Sequence, residues 1–351
     1  MLRRRLYCPL FSWTLLCLSL AITEATYSIV ATDAYTRQVG GAGASCIPNG
    51  DIFDALYLSA PNRSVFHTQG LLLERNSTIV MTAIDMMQTD DDSIGDILAK
   101  MRELDTEPYL MSEDGSVSMP KVDLRQYGMA NFHVNDSHGG YTGSSLQEVY
   151  DDIFQIKDTV QIDKGAGRSN IDEDSRQYSF HAQGNVVKDG TVDSLYDGFV
   201  EGGDGSNICD MALRLMAAMD KVMKDGGGDM RCINEHNGIS ATGAFLHIDE
   251  ADGKELIHIN IVGDGTFEPL EKLRQEFFAW KEGNPCSQTQ RNETNIDVEK
   301  VPVTDVGDAN DIEAVGAAGS SAAKVSSSYS YLVPASILLS FSATIAIDMA
   351  F

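Results

Sequence analysis

Residues 240–249 and 254–264 alternate apolar and polar side chains on either side of Asp252-Gly253. A two-residue turn at that dipeptide fixes an antiparallel hairpin whose register can be counted. Ala251 then pairs with Lys254, Leu246 falls opposite Ile259, and Ile248 falls opposite Ile257 on one apolar face. His247 falls opposite His258 on the other face. The hairpin commits this end of the chain to an antiparallel sheet with a face that something else must cover. The two facing histidines lack a third ligand nearby in that register, so they make an incomplete metal site and no metal is expected.

Elsewhere, strand and helix signals are interleaved. Residues 26–33 are β-branched and aromatic, residues 35–38 read as a turn, and residues 39–45 form a strand of small side chains, which together make a second hairpin. Gly40, Gly41 and Gly43 in that strand permit close approach by another backbone or by a substrate. Helices are expected over residues 77–87 and 93–104, the second capped by Ser93, and short strands over 109–111 and 124–134. Asn207 precedes a helix over 208–224 whose apolar face holds Ala212, Leu215, Met216, Met219 and Met223, and Gly226-Gly227-Gly228 ends it. A closing amphipathic helix over 268–282 presents Leu270, Leu273, Phe277 and Trp280. Residues 144–175 are acidic and patternless and read as an insertion with a short helix.

The two ends of the chain carry sorting signals. Arg3, Arg4 and Arg5 precede an apolar run over residues 6–22, with Thr23 and Ala25 at the small-residue positions of a signal peptidase site, so residues 1–25 read as a signal peptide. Residues 331–351 are almost wholly apolar and follow a Ser- and Ala-rich stalk over 286–330. That layout is expected of a GPI-anchor signal, with Gly319 or Ser320 as the attachment residue; a single membrane-spanning helix is the alternative. Either places the protein in the secretory pathway and on the extracellular face of the plasma membrane. Between the signals, residues 26–285 have the size of one domain.

The formal net charge is −26, which excludes a nucleic-acid partner. Neither Asp90-Asp91-Asp92 nor the acidic run at 201–205 has calcium-loop spacing, and no Cys-x-x-Cys or Cys/His cluster provides for zinc, so neither cofactor nor metal is expected. Of the six cysteines, Cys8 and Cys17 fall in the signal peptide. Cys46, Cys209, Cys232 and Cys286 would form two disulfides, with three pairings open. Sequons at Asn62, Asn76, Asn135 and Asn292 suit a glycosylated surface protein.

Signal-peptide cleavage after Ala25 would leave Thr26 as the N-terminal residue. Its hydroxyl would then lie beside its own α-amine, whose ordinary pKa of about 7.7–8.0 suits a base near neutral pH.

The segments 26–33 and 39–45 resemble the opening of domain of unknown function 1028, a family placed in the Ntn-hydrolase-like group. His67-Thr68-Gln69, Arg125-Gln126-Tyr127-Gly128, Gln183-Gly184-Asn185-Val186-Val187, Gly228-Asp229-Met230-Arg231-Cys232 and Pro269-Leu270-Glu271-Lys272-Leu273 are similar to its landmarks and follow in the same order. Thr36-Arg37 stands where a Thr-Gly turn is usual, Gly41 and Gly43 replace valines, and residues 144–174 are extra. The resemblance implies an α+β fold, a four-layer αββα sandwich of the Ntn-hydrolase type with two mostly antiparallel sheets. It also implies a nucleophilic Thr26 that serves as its own base. Asn185 is then the candidate oxyanion donor, with a turn-forming Asn before a strand as its other role; Asp33 either orients the amine or simply ends the strand, and Ser45 is a candidate for either kind of work.

The expected function is a membrane-anchored amidohydrolase acting on a small amide or N-acylated substrate. The alternative is a non-catalytic surface protein that keeps the fold and binds a ligand. No Gly-x-Ser-x-Gly elbow supports a serine hydrolase. Oligomeric state is left open, a homo-oligomer included.

Overall fold

The computed structural model describes residues 26–89, 92–110, 118–132, 137–149, 159–170, 177–203 and 208–284. The signal peptide, stalk, anchor segment, Asn207, Cys286 and the sequons at Asn135 and Asn292 lie outside them. In chain order the elements are β1 (Thr26–Asp33), β2 (Gln38–Ser45), α1 (Ile52–Leu56), β3 (Tyr57–Ala60), β4 (Ser64–Gly70), α2 (Thr78–Met87), α3 (Ile94–Leu104), β5 (Pro108–Leu110) and β6 (Ser118–Pro120). After a 3-10 turn come β7 (Arg125–Asn131), β8 (His138–Thr142), α4 (Leu146–Glu148), β9 (Val160–Asn170) and β10 (Gln177–Val187). Then follow α5 (Thr191–Glu201), α6 (Asp210–Lys224), α7 (Met230–Glu235), β11 (Gly243–Asp249), β12 (Glu255–Val262) and α8 (Pro269–Gly283).

The class is α+β with antiparallel sheets. A six-stranded sheet has the order β12-β11-β2-β1-β10-β9, a four-stranded sheet the order β3-β4-β7-β8, and β5-β6 is a separate pair. Period-2 alternation sorts the side chains of β1: Tyr27, Ile29 and Ala31 pack with Leu195, Phe199, Leu215, Met219, Leu273 and Phe277 of α5, α6 and α8. Val30 turns the other way and meets Tyr57, Val65 and Ala130 of the four-stranded sheet. The far side of that second sheet, with Phe66, Tyr127 and Met129, packs on Val80, Ala83, Ile97 and Met101 of α2 and α3.

The helix boundaries have local causes. Ser77 Oγ accepts from Val80 N at the start of α2, and Ser93 and Asp96 form a reciprocal capping box on α3. Pro269 at the first turn and the Glu268 carboxylate start α8. In α6 the expected apolar face is present, and it also buries an ion pair, Arg214 Nε to Asp210 Oδ2 at 2.7 Å. Arg214 further donates to the Phe199 and Val200 carbonyls, and Tyr178 OH donates to Asp210. These partners satisfy a charge pair that would otherwise be expensive to bury.

Two sequence expectations change and one open pairing is resolved. The counted register holds, with Leu246 opposite Ile259, Ile248 opposite Ile257 and His247 opposite His258. The turn is longer than two residues, however: Gly253 N donates to Glu250 O, Glu250 N donates to Lys254 O, and Gly253 has φ of +81°. A bulge after Ile248 absorbs the difference, so Asp249 pairs with Glu255. The stretch 144–175 is not merely an appended insertion, because residues 160–170 form β9, an edge strand of the six-stranded sheet. With a neighbour on one side only, such a strand can carry exposed polar residues such as Asp163, which removes the sequence signal. Finally, Cys46 and Cys232 are disulfide-bonded, and Cys209 is also in a disulfide.

Candidate active site

Thr26 begins β1, a central strand of the six-stranded sheet, with Ser45 of β2 on one side and Asn185 of β10 on the other as register partners. Thr26 Oγ1 donates to Ser45 Oγ at 3.1 Å. All three residues are fully buried. Three of the four residues proposed from sequence are therefore brought together.

The fourth is not. Asp33 ends β1, seven residues from Thr26 along an extended strand, which is about 23 Å at 3.3–3.4 Å per residue. Its carboxylate accepts from Tyr35 N and Thr36 Oγ1, each at 2.8 Å, and so closes the β1–β2 turn. Asp33 is a turn residue, because the strand that puts Thr26 at one edge of the sheet carries Asp33 to the other.

The same turn explains the departure at Arg37. This residue has φ of +59°, a conformation that favours glycine. Its side chain is held by Asn62, with Nε to Oδ1 at 2.7 Å, and lies over the Phe132 ring.

Behind Thr26 and Asn185 runs a chain of uncharged polar groups between the sheets. Asn185 Nδ2 donates to Gln126 Oε1 at 3.2 Å, and Gln69 Nε2 donates to the same oxygen at 2.6 Å. Gln126 Nε2 is within reach of Thr142 Oγ1 at 3.0 Å and the Gly184 carbonyl at 3.2 Å. Ser28 Oγ donates to Gln69 Oε1 at 3.2 Å. The buried Asn185 Oδ1 has no hydrogen-bond partner among the described residues. Sequence reasoning missed Ser28, Gln69 and Gln126. Gln69 and Gln126 were visible in the sequence only inside the quoted landmarks, and Ser28 only as a small polar residue of β1.

The quoted landmarks have physical roles around this end of the sheets. Arg125 pairs with buried Asp105 after α3 and donates to the Leu71 and Leu72 carbonyls, which ties down the loop after β4. Gly128 makes room for Gln183, whose Oε1 would lie 2.8 Å from a Cβ there. Asp229 Oδ2 accepts from Cys46 N at 2.9 Å and pairs with Arg231, while Cys232 is bonded to Cys46. The residue after Ser45 is thus anchored twice.

His67 lies on β4, two residues before Gln69, and is fully buried with neither ring nitrogen hydrogen-bonded among the described residues. Burial, reinforced by His247 nearby, lowers its pKa to about 3, so it is neutral near pH 7. The glycine at position 41 gives the ring its space, because a Cβ there would sit 2.5 Å from His67 Nε2.

No family model and no curated protein matches the chain. Among solved structures it is similar to the crystal structure of protein SPO2555 from Silicibacter pomeroyi, described with the family designation DUF1028. The identity is 15% and the TM-score 0.47, over 74% of this chain and 91% of that one.

Proposed function

We propose that the chain is a secreted, membrane-anchored Ntn-type amidohydrolase, built on a four-layer αββα sandwich and activated when signal-peptide removal exposes Thr26. The observation that carries this reading is the Thr26 hydroxyl, hydrogen-bonded to Ser45 and flanked across the strand by the Asn185 amide at the first residue of a central strand. The named groups around the hydroxyl are uncharged, so the base must be supplied otherwise. A free α-amine on Thr26 supplies it within the same residue.

Thr26 Oγ attacks the amide carbonyl carbon as its proton passes to the α-amine. The resulting oxyanion needs donors, each worth about 2.7–4 kcal/mol of barrier, and the Asn185 amide is the candidate. Collapse breaks the C–N bond, the ammonium returns its proton to the leaving nitrogen, and an ester to Thr26 remains. Water, deprotonated by the same amine, attacks that ester and releases the acid and the threonine hydroxyl.

The second reading is a non-catalytic cell-surface binding protein with the same fold. It is favoured by one observation: one of the two N–H donors of Asn185 Nδ2 is already given to Gln126 Oε1, which leaves a single donor of that amide for an oxyanion.

N-terminal sequencing of secreted protein, together with labelling by an acylating probe, tests the proposal. The expected result is a terminus at Thr26 and labelling abolished in Thr26→Ala with the fold retained. A different terminus, or equal labelling of both proteins, refutes it. Release by a phosphatidylinositol-specific phospholipase is expected if the anchor is a lipid.

A further inference from the structure

We infer that the β11–β12 hairpin carries a binding site for one divalent zinc-type ion, formed by His247 Nδ1, His258 Nδ1 and the Glu255 carboxylate. In simple alternation Glu255 and His258, three residues apart, would occupy opposite faces of β12. The bulge that leaves Leu256 unpaired between Glu255 and Ile257 reverses this, so Glu255 lies opposite Asp249 and on the same face as the two histidines. The third ligand missing from the counted register is thereby supplied.

The geometry suits an ion. The two Nδ1 atoms are 3.0 Å apart and Glu255 Oε2 is 3.9 Å from His247 Nδ1; one ligand atom from each of the three residues lies within 4.8 Å of the others. Donors at 2.0–2.1 Å from a tetrahedral ion are about 3.3–3.4 Å apart, a spacing that the 3.0 and 3.9 Å separations bracket, and Glu255, on the exposed edge, has the freedom to move in. Two imidazoles and a carboxylate favour a zinc-type ion over calcium or magnesium, which prefer all-oxygen ligand sets.

His247 is also oriented from behind. Its Nε2 faces Asp249 Oδ1 at 2.9 Å, and Asp249 accepts from Tyr57 OH at 3.0 Å and from Ser59 Oγ at 2.7 Å. This arrangement keeps the proton on Nε2 and leaves the Nδ1 lone pair directed at the proposed ion, as carboxylate partners of metal-bound histidines do. The Phe53 ring packs against both imidazoles and restrains them. His258 and Glu255 are exposed, so a fourth coordination position faces solvent.

The test is a titration of untagged full-length protein with ZnCl2, followed by isothermal calorimetry and by Co2+ substitution with visible absorption. Non-reducing conditions keep Cys46 and Cys232 in their disulfide, so these cannot act as thiolate ligands. One saturable equivalent and tetrahedral Co2+ bands are expected for the wild type. His258→Gln, at an exposed position, should abolish both signals with an unchanged circular dichroism spectrum, and Glu255→Gln should weaken binding. Asp249→Asn should keep the stoichiometry and lower affinity roughly 10–100-fold, the usual effect of losing such a support. Absence of saturable binding in the wild type, or undiminished binding in His258→Gln, overturns the assignment.

Discussion

Lowering the pH should destabilise this protein through one buried histidine, by an amount that can be worked out. His67 has a folded-state pKa of about 3 against an ordinary value of 6.5. Above pH 6.5 the ring is neutral in both states and contributes no pH dependence. As pH falls below 6.5 the unfolded chain takes up a proton that the folded protein refuses, so stability falls until the pH reaches about 3. Each pH unit costs about 1.36 kcal/mol. From pH 7.5 to 4.5 the His67 contribution is therefore about 2.7 kcal/mol, since only the two units below 6.5 count. Because the side chain is fully buried, solvent screening does not reduce it. The perturbation is His67→Leu, which removes the titrating ring without adding volume against Gly41. Urea unfolding at the two pH values, followed by circular dichroism, gives the loss for each protein. Carboxylates and exposed histidines titrate in both and cancel in the comparison. The wild type should lose about 2.7 kcal/mol more than the variant. Equal losses, within about 0.5 kcal/mol, would refute the claim that His67 is buried neutral.

Two further outcomes follow from the packing. Gly41→Val, which restores the side chain usual in the resembled family, should destabilise by about 1–3 kcal/mol or more through contact with His67 and the Ile29 carbonyl. His67→Ala in that background should recover part of the loss in a double-mutant cycle. Replacing Cys46 and Cys232 together by alanine releases a crosslink between residues 186 apart, which chain-entropy reasoning values at about 5 kcal/mol. A urea midpoint shift equivalent to less than about 1 kcal/mol would show that the bond constrains the unfolded chain far less than its span implies.

Much of the fold was legible because its signals are local. The two hairpins, the capped helices and the apolar faces of α6 and α8 each depend on periodicity and on a few turn or cap residues. The pairing of Thr26 with Ser45 follows from the hairpin itself, but that with Asn185 depends on β10, about 160 residues away, and has no local signal; the family resemblance led only to Asn185 as a candidate donor. Gln69 and Gln126, noted in the sequence only as parts of family landmarks, are neighbours on adjacent strands of the four-stranded sheet, and their partners Ser28 and Asn185 lie in the other sheet, which no local pattern reveals. Of the two roles open to Asp33, orienting the amine or ending the strand, the extended geometry of β1 leaves the second. Glu255 was lost to a single bulge, since alternation assigns it to the wrong face.

The composition of the inter-sheet layer bears on where function lies. Away from Thr26 the layer is filled mainly by Val30, Val39, Val65 and Phe245, with the buried imidazoles of His67 and His181 among them. Near Thr26 it is filled by Ser28, Gln69, Gln126, Gln183 and Asn185, and both Gln183 Oε1 and Asn185 Oδ1 are left without partners among the described residues. Each unmade bond of this kind costs about 1–3 kcal/mol, whereas apolar side chains of the same shape would cost little. A sequence selected for stability alone would have extended the valine packing to the end of the sheets. The retained amides instead provide donors and acceptors that carry no charge and impose no titration near neutral pH. That property is required of groups expected to hold a polar ligand beside the Thr26 hydroxyl without disturbing the pKa of an adjacent amine. Under the hydrolase proposal, Gln126→Leu should lower activity by removing the partner that orients Asn185, and urea unfolding should show a loss of at least about 1–3 kcal/mol as well, because Gln69 Nε2 and the Gly184 carbonyl lose their partner too.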